Sequence, residues 1–136
     1  AQRARQLVRE AQPGPAADPP KSVGMPAEFP TSFAALHKLG RQLSQNERFS
    51  EAIEVLSRAI AVKQSDPLAW NARGYARLRL RKFKEALADF EEALRLNPGY
   101  ANALWNRGAT RRALGDESGG IQDQQRSKSM QAAGAS

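Results

Sequence analysis

Displaced by 34 residues, the chain falls into register with itself. Gly40, Gly74 and Gly108 then share a column, as do Ala52, Ala86 and Gly120, and Leu56, Phe90 and Gln124. Ala59, Ala93 and Ser127 form another column, and Leu36, Trp70 and Leu104 a further one. The spacing holds without an insertion and divides the chain into units 33–66, 67–100 and 101–134. Self-similarity at one period of this size restricts the fold to a repeat array. Each unit of such an array buries its apolar face only against its neighbours.

The second unit shows what one repeat contains. Phe83, Ala86, Leu87, Phe90, Ala93 and Leu94 recur at spacings of three and four, the stripe of an amphipathic helix. Two helices are predicted there, one over about 68–80 and one over about 84–96. Asn97-Pro98-Gly99 stops the second, because proline cannot continue a helix and glycine permits the reversal. Asp66-Pro67 divides the first two units, with Asp66 as the cap and proline at the helix start. The columns of glycine and alanine allow paired helices to approach closely.

These residues resemble the tetratricopeptide repeat family, whose pattern runs W-x2-L-G-x2-Y, then A-x3-F, then P. The second unit supplies Trp70, Gly74, Ala86, Phe90 and Pro98. The first supplies Leu36, Leu39, Gly40, Leu43, Ala52 and Leu56. The third supplies Leu104 and Gly108 and then fades, with Gly119, Gly120, Gln124 and Ser127 where an apolar face belongs. Residues 118–130 are expected either to cap the array with a polar face or to fray. The resemblance implies an all-α, right-handed superhelical array of about three helix-turn-helix repeats, the last degenerate or capping.

The N-terminal region reads differently. Six of the eight prolines lie before residue 31, so residues 13–32 are expected to be an extended linker. Residues 1–12 have helix-forming composition but few apolar groups, so a helix there needs a docking surface. Residues 1–32 together form an N-terminal arm. The chain starts at Ala1 without methionine, and is expected to be an exported mature form or a fragment of a longer protein.

Composition removes several function classes. The chain has no cysteine, which excludes disulfides, thiolate metal sites and cysteine nucleophiles. It has one histidine, His37, which excludes sites needing two. No nucleophile-elbow sequence or glycine-rich phosphate loop is present, so neither catalysis nor a cofactor or metal is expected. No apolar run approaches the roughly 18 residues of a membrane-spanning helix. Lys and Arg number 21 against 14 Asp and Glu, a net charge of +7 that favours acidic partners.

The resemblance also implies where a partner binds. In the family the first helix of each unit lines a concave groove. Carried over, the lining is His37, Lys38, Arg41 and Gln45, then Asn71, Tyr75 and Arg79, then Asn102, Trp105, Asn106 and Arg112. Asparagines hold peptide amides, arginines grip carboxylates with two hydrogen bonds, and Tyr75 and Trp105 offer flat apolar area. The expected function is a protein-interaction scaffold that takes an acidic peptide segment, extended or helical. Some family members clamp a chaperone's C-terminal carboxylate with two lysines, two asparagines and an arginine. This chain has His37, Arg41, Ala72, Asn102 and Asn106 at those places, so chaperone tails are not expected as partners.

Three features depart from this scheme or compete with it. Arg73 and Arg107 replace the pattern's leucine, and Arg77 and Arg111 its tyrosine. Their stems are expected to cover the helix interface and their heads to pair with Asp89, Glu85 or Glu92. The cluster Arg73, Arg77, Arg79, Arg81, Lys82 and Lys84 is the strongest footprint for nucleic acid. It spans a helix and a turn and has no nucleic-acid motif beside it, so that reading ranks behind protein binding. Glu51, Glu54, Glu85, Asp89, Glu91 and Glu92 place acid on the second helices. Self-association, with the basic groove of one copy on that acidic face of another, is the third reading.

Overall fold

The computed structural model describes residues 25–135, and the suggested helix over 1–12 lies outside them. Six helices follow one another: α1 (Phe33–Gln45), α2 (Phe49–Val62), α3 (Pro67–Arg79), α4 (Phe83–Leu96), α5 (Ala101–Ala113) and α6 (Glu117–Ala135). The 34-residue register is visible in their starts, at 33, 67 and 101 and at 49, 83 and 117. Each helix packs on the next, and α1 also touches α3 as α3 touches α5. No such contact joins α2 to α4 or α4 to α6. The first helix of each pair therefore lies on the inner, concave side, and the second on the outer side. The molecule is an all-α repeat array, and no helix among the described residues is long and apolar enough to cross a membrane.

Capping chemistry sets the helix starts. Ser32 accepts a hydrogen bond from the Ala35 amide, and Asp66 accepts one from Leu68 with Pro67 at the first helical position. Tyr100 holds the same place before α5 and makes no side-chain cap. Each turn within a pair closes the same way. The amide of Arg48 bonds Leu43 O and that of Glu47 bonds Ser44 O, and Arg81–Lys82 and Gly115–Asp116 repeat the pattern. This closure places the second residue after each inner helix in the left-handed region: Glu47 at φ 60°, Arg81 at 62° and Gly115 at 97°.

The core runs along the stack. Leu36, Leu43, Ala52, Val55, Leu56 and Ala59 form its first section and Ala93, Leu94, Ala103 and Leu104 its last. Trp70 is half-buried, packs against both sections and donates its indole N–H to Gln64 O. Met25 and Phe29 of the N-terminal region pack on the first section, with the Arg58 guanidinium 3.8 Å from the Phe29 ring.

Buried ion clusters hold the last two pairs. Arg73 grips Asp89 with two hydrogen bonds of 3.0 and 2.8 Å, and Arg77 adds a third at 2.9 Å. Arg107 and Arg111 grip Asp123 in the same geometry, at 2.8, 2.9 and 2.9 Å. Of the three expected carboxylates, Asp89 alone takes both arginines. It is 1% exposed, which removes it from the acidic outer face. Glu92 instead pairs with Arg95 one turn along. Arg73 also reaches back to Ser57 Oγ at 3.0 Å, so the cluster ties two pairs together.

In α6 the helix continues through Gly119 and Gly120 to Ala135, 19 residues against 14 in α2 and α4. The glycines permit this packing. A Cβ on Gly120 would come within 2.5 Å of Gly108 O, and one on Gly108 within 2.6 Å of Gly120 O. Ser127 replaces alanine at a fully buried point and donates to Ala101 O at 2.7 Å.

Candidate functional site

The inner surface carries an open cleft of about 480 Å³ between α1, α3 and the start of α5. His37, Arg41, Ser44 and Gln45 line it from α1, Leu68, Asn71, Ala72 and Tyr75 from α3, and Tyr100 and Asn102 from α5. On α1 and α3 these residues recur at three and four positions, so one face of each helix serves the cleft.

The three asparagines of the expected lining engage one another. Asn71 Nδ2 donates to Asn102 Oδ1 at 2.9 Å and to the Tyr100 hydroxyl at 3.3 Å. Asn106 Nδ2 donates to Asn71 Oδ1 at 3.2 Å and to Asn102 Oδ1 at 3.1 Å. Asn71 is thereby nearly saturated and buried, and it orients the others. The Asn102 amide nitrogen and the Asn106 amide oxygen keep their capacity for a ligand. Ser44 Oγ, also at the cleft, is buried without a hydrogen-bond partner.

The electrostatics are set by Arg41. Among the described residues it has no hydrogen bond or ion pair, whereas the arginines of the interior clusters all meet a carboxylate. Arg79 bonds the Tyr75 hydroxyl at 2.8 Å and stacks over the Phe49 ring at 4.8 Å. His37 lies parallel to Phe33 with ring centres 6.0 Å apart. Burial first, and then the Arg41 charge, hold its imidazole below the ordinary histidine range, while Asp66 opposes them. Burial likewise pushes the Tyr100 phenol up, against the hydrogen bond from Asn71. Both rings are therefore uncharged at neutral pH.

The structure thus brings His37, Arg41, Gln45, Asn71, Tyr75 and Asn102 to one cleft, with Asn106 and Arg79 bonded to its lining. Three residues of the expected lining lie elsewhere. Lys38 is exposed and is not part of the cleft lining. Trp105, 41% exposed, lies at the C-terminal end of the stack with Lys128 Nζ 5.8 Å from its ring centre. Arg112 turns toward α6, where it bonds Gln124 Oε1 at 3.1 Å and Glu117 at 2.9 Å. In the repeat register 112 aligns with Ser44 and Leu78 and not with Arg41 or Arg79. Tyr100 was not anticipated. Its signal is an aromatic ring in the column where Ser32 and Asp66 cap helices.

Comparison with known proteins agrees with this geometry. A profile of the Tetratricopeptide repeat family matches residues 37–101 and again 71–134. Protein FlbA of Caulobacter vibrioides is 30% identical over 94 residues, 69% of this chain and 16% of that protein. Hsc70-interacting protein 1 of Drosophila melanogaster is 37% identical over 70 residues, 52% of this chain and 19% of that protein. The chain thus spans less than a fifth of either relative. Among solved structures, the second TPR of Spaghetti (RPAP3), bound to an HSP90 peptide of sequence SRMEEVD, superposes with a TM-score of 0.71 at 26% identity. That match covers 73% of this chain and 92% of the other. MamA, at 21% identity and a TM-score of 0.70 over 77% of this chain and 61% of its own, shares the fold. The register, the inner and outer helix layers and the profile match all agree: the chain belongs to the tetratricopeptide repeat family.

Proposed function

We propose that the cleft binds a short acidic segment of a partner protein. Arrays of this family are protein-interaction modules, and the observation that carries the acidic reading is Arg41. It is a cleft-lining guanidinium with no carboxylate partner among the described residues, in a fold that pairs its interior arginines. A ligand carboxylate would accept two hydrogen bonds from it. The asparagine network would orient the segment's backbone through Asn102 and Asn106. Tyr75 would pack against the side chains, and the cleft's size suits a few residues. The role is binding and not catalysis. The acidic HSP90 peptide held by the second TPR of RPAP3 supports the choice of ligand charge.

His37, Arg41, Ala72, Asn102 and Asn106 differ position by position from the family's carboxylate clamp, so a chaperone tail held in that manner is not expected.

An array of ten-residue peptides, acidic and matched neutral, tests both statements. The wild-type chain is expected to retain acidic peptides. Arg41→Ala with Arg79→Ala should lose at least about tenfold in affinity, the range for removing a charged partner. Arg112→Ala, which alters a residue outside the cleft, should bind as wild type. Equal retention of neutral peptides overturns the acidic reading. SRMEEVD should bind no better than its scrambled form, and tight binding that needs the intact tail overturns that expectation.

A further inference from the structure

The turn between α3 and α4 carries a cation cluster that the cleft does not use. Corresponding positions of the three turns hold Glu47, Arg48 and Glu51, then Arg81, Lys82, Lys84 and Glu85, then Asp116 and Glu117. The middle turn alone is strongly basic. The structure also reduces the footprint read from the sequence, because Arg73 and Arg77 are spent on Asp89 inside the core. The exposed remainder is Arg81, Lys82 and Lys84, and among the described residues none of the three has an ion pair.

Two stacked arginines lead from the cleft to this turn. Arg79 is bonded to the cleft residue Tyr75 and lies 4.8 Å from the ring of Phe49, the first residue of α2. Arg81 lies 5.2 Å from the ring of Phe83, the first residue of α4 and the repeat equivalent of Phe49. In the next pair Ala109 and Ala113 stand where Tyr75 and Arg79 would cover Phe83, and Arg81 covers that ring itself. The two guanidinium groups therefore sit on equivalent rings one repeat apart, held in place by stacking. Arg79 thus ties the cleft residue Tyr75 to the C-terminal end of α3, two residues before Arg81.

We infer that Arg81, Lys82 and Lys84 form a second contact surface for the same partner, taking acidic residues that extend past the cleft. The inference rests on the acidic reading of the cleft and adds the requirement that the ligand be a tract longer than the cleft holds. Charge complementarity argues for the occupant. Nucleic acid ranks behind it, because Arg73 and Arg77, the helical part of the basic footprint, are spent on Asp89 and no nucleic-acid motif accompanies the rest.

Labelled tetraglutamate and decaglutamate, titrated at low salt, test this directly. The edge variant combines Arg81→Asn, tolerated at a left-handed position, with Lys82→Gln and Lys84→Gln. It should weaken decaglutamate about tenfold and leave tetraglutamate within about twofold. Lys84→Gln alone, on exposed helix, serves if the triple variant melts lower than wild type. Unchanged decaglutamate affinity overturns the inference, and so does a loss shared equally by both peptides. The cleft is read separately with Arg41→Ala, which should weaken tetraglutamate. If it does not, the cleft reading fails whatever the edge variant shows. A ten-nucleotide oligo(dT) that binds the wild type more tightly than decaglutamate and is lost in the edge variant reassigns the edge to phosphate.

Discussion

Leu39, Leu43 and Val55 occupy in the first helix pair the positions held by Arg73, Arg77 and Asp89 in the second and by Arg107, Arg111 and Asp123 in the third. The helices of all three pairs start in the same register. Leu43 and Val55 are fully buried, and so, within a few per cent, are the two aspartates. One interface is thus closed once by apolar packing and twice by an ion cluster. Burying ions costs desolvation that good geometry largely offsets, so the two solutions are close in net energy. They differ in what happens when one member is lost.

That difference gives the largest expected effect. Asp89→Ala strands two arginines whose heads are mostly buried, and should destabilise the chain by about 3 kcal/mol. Transplanting the first pair's solution, Arg73→Leu with Arg77→Leu and Asp89→Val, should leave stability within about 1 kcal/mol of wild type or above it. Urea denaturation of both variants decides the matter. If the triple variant is as unstable as Asp89→Ala, the cluster is not exchangeable for apolar packing and the comparison breaks.

A second contrast separates the third pair from the other two. A Cβ on Gly74 would meet the Phe90 ring at 2.7 Å, a side chain and not backbone. On Gly108 it would meet Gly120 O at 2.6 Å, which belongs to the α6 backbone. Gly108→Ala should therefore cost about 2 kcal/mol, and Gly74→Ala less. Thermal melts rank them. The reverse order would mean that α6 is held more loosely than α4.

The period made most of the architecture legible, because three aligned copies average out local ambiguity. Predicted helices over 68–80 and 84–96 meet α3 and α4 at 67–79 and 83–96. The partner of the interior arginines was legible only as a class of carboxylates. Choosing Asp89 needs the helix crossing, which brings residues 16 and 12 positions apart together. Asp123 was hidden because Gly119, Gly120, Gln124 and Ser127 around it read as a degenerate helix, while in space they let α6 sit close against α5. Arg112 was drawn to the cleft by its charge, although it shares no column with Arg41 or Arg79 and its head is taken by Gln124 and Glu117 of α6. Tyr100 had a signal in the capping column, but the reason for giving up a cap, its bond with Asn71, spans 29 residues of sequence.

The smallest expected effect lies in the turns, where the three pairs share one geometry but not one residue type. Glu47 and Arg81 hold the left-handed position that Gly115 holds without strain. A side chain there crowds the following carbonyl, at a cost of about 1 kcal/mol. Replacing it with glycine also loosens the unfolded chain, which offsets part of the gain. Glu47→Gly should thus raise stability by roughly 0.5 kcal/mol, and Gly115→Ala should lower it by somewhat more. Glu47 is the cleaner test, since Arg81 also stacks on Phe83 and its removal loses that contact. If Glu47→Gly destabilises, the Glu47 carboxylate has a favourable role at its turn, beside Arg48 and the buried Phe49 ring, that outweighs its backbone strain. The acidic first turn and the basic second turn would then be separate adaptations of one shared loop.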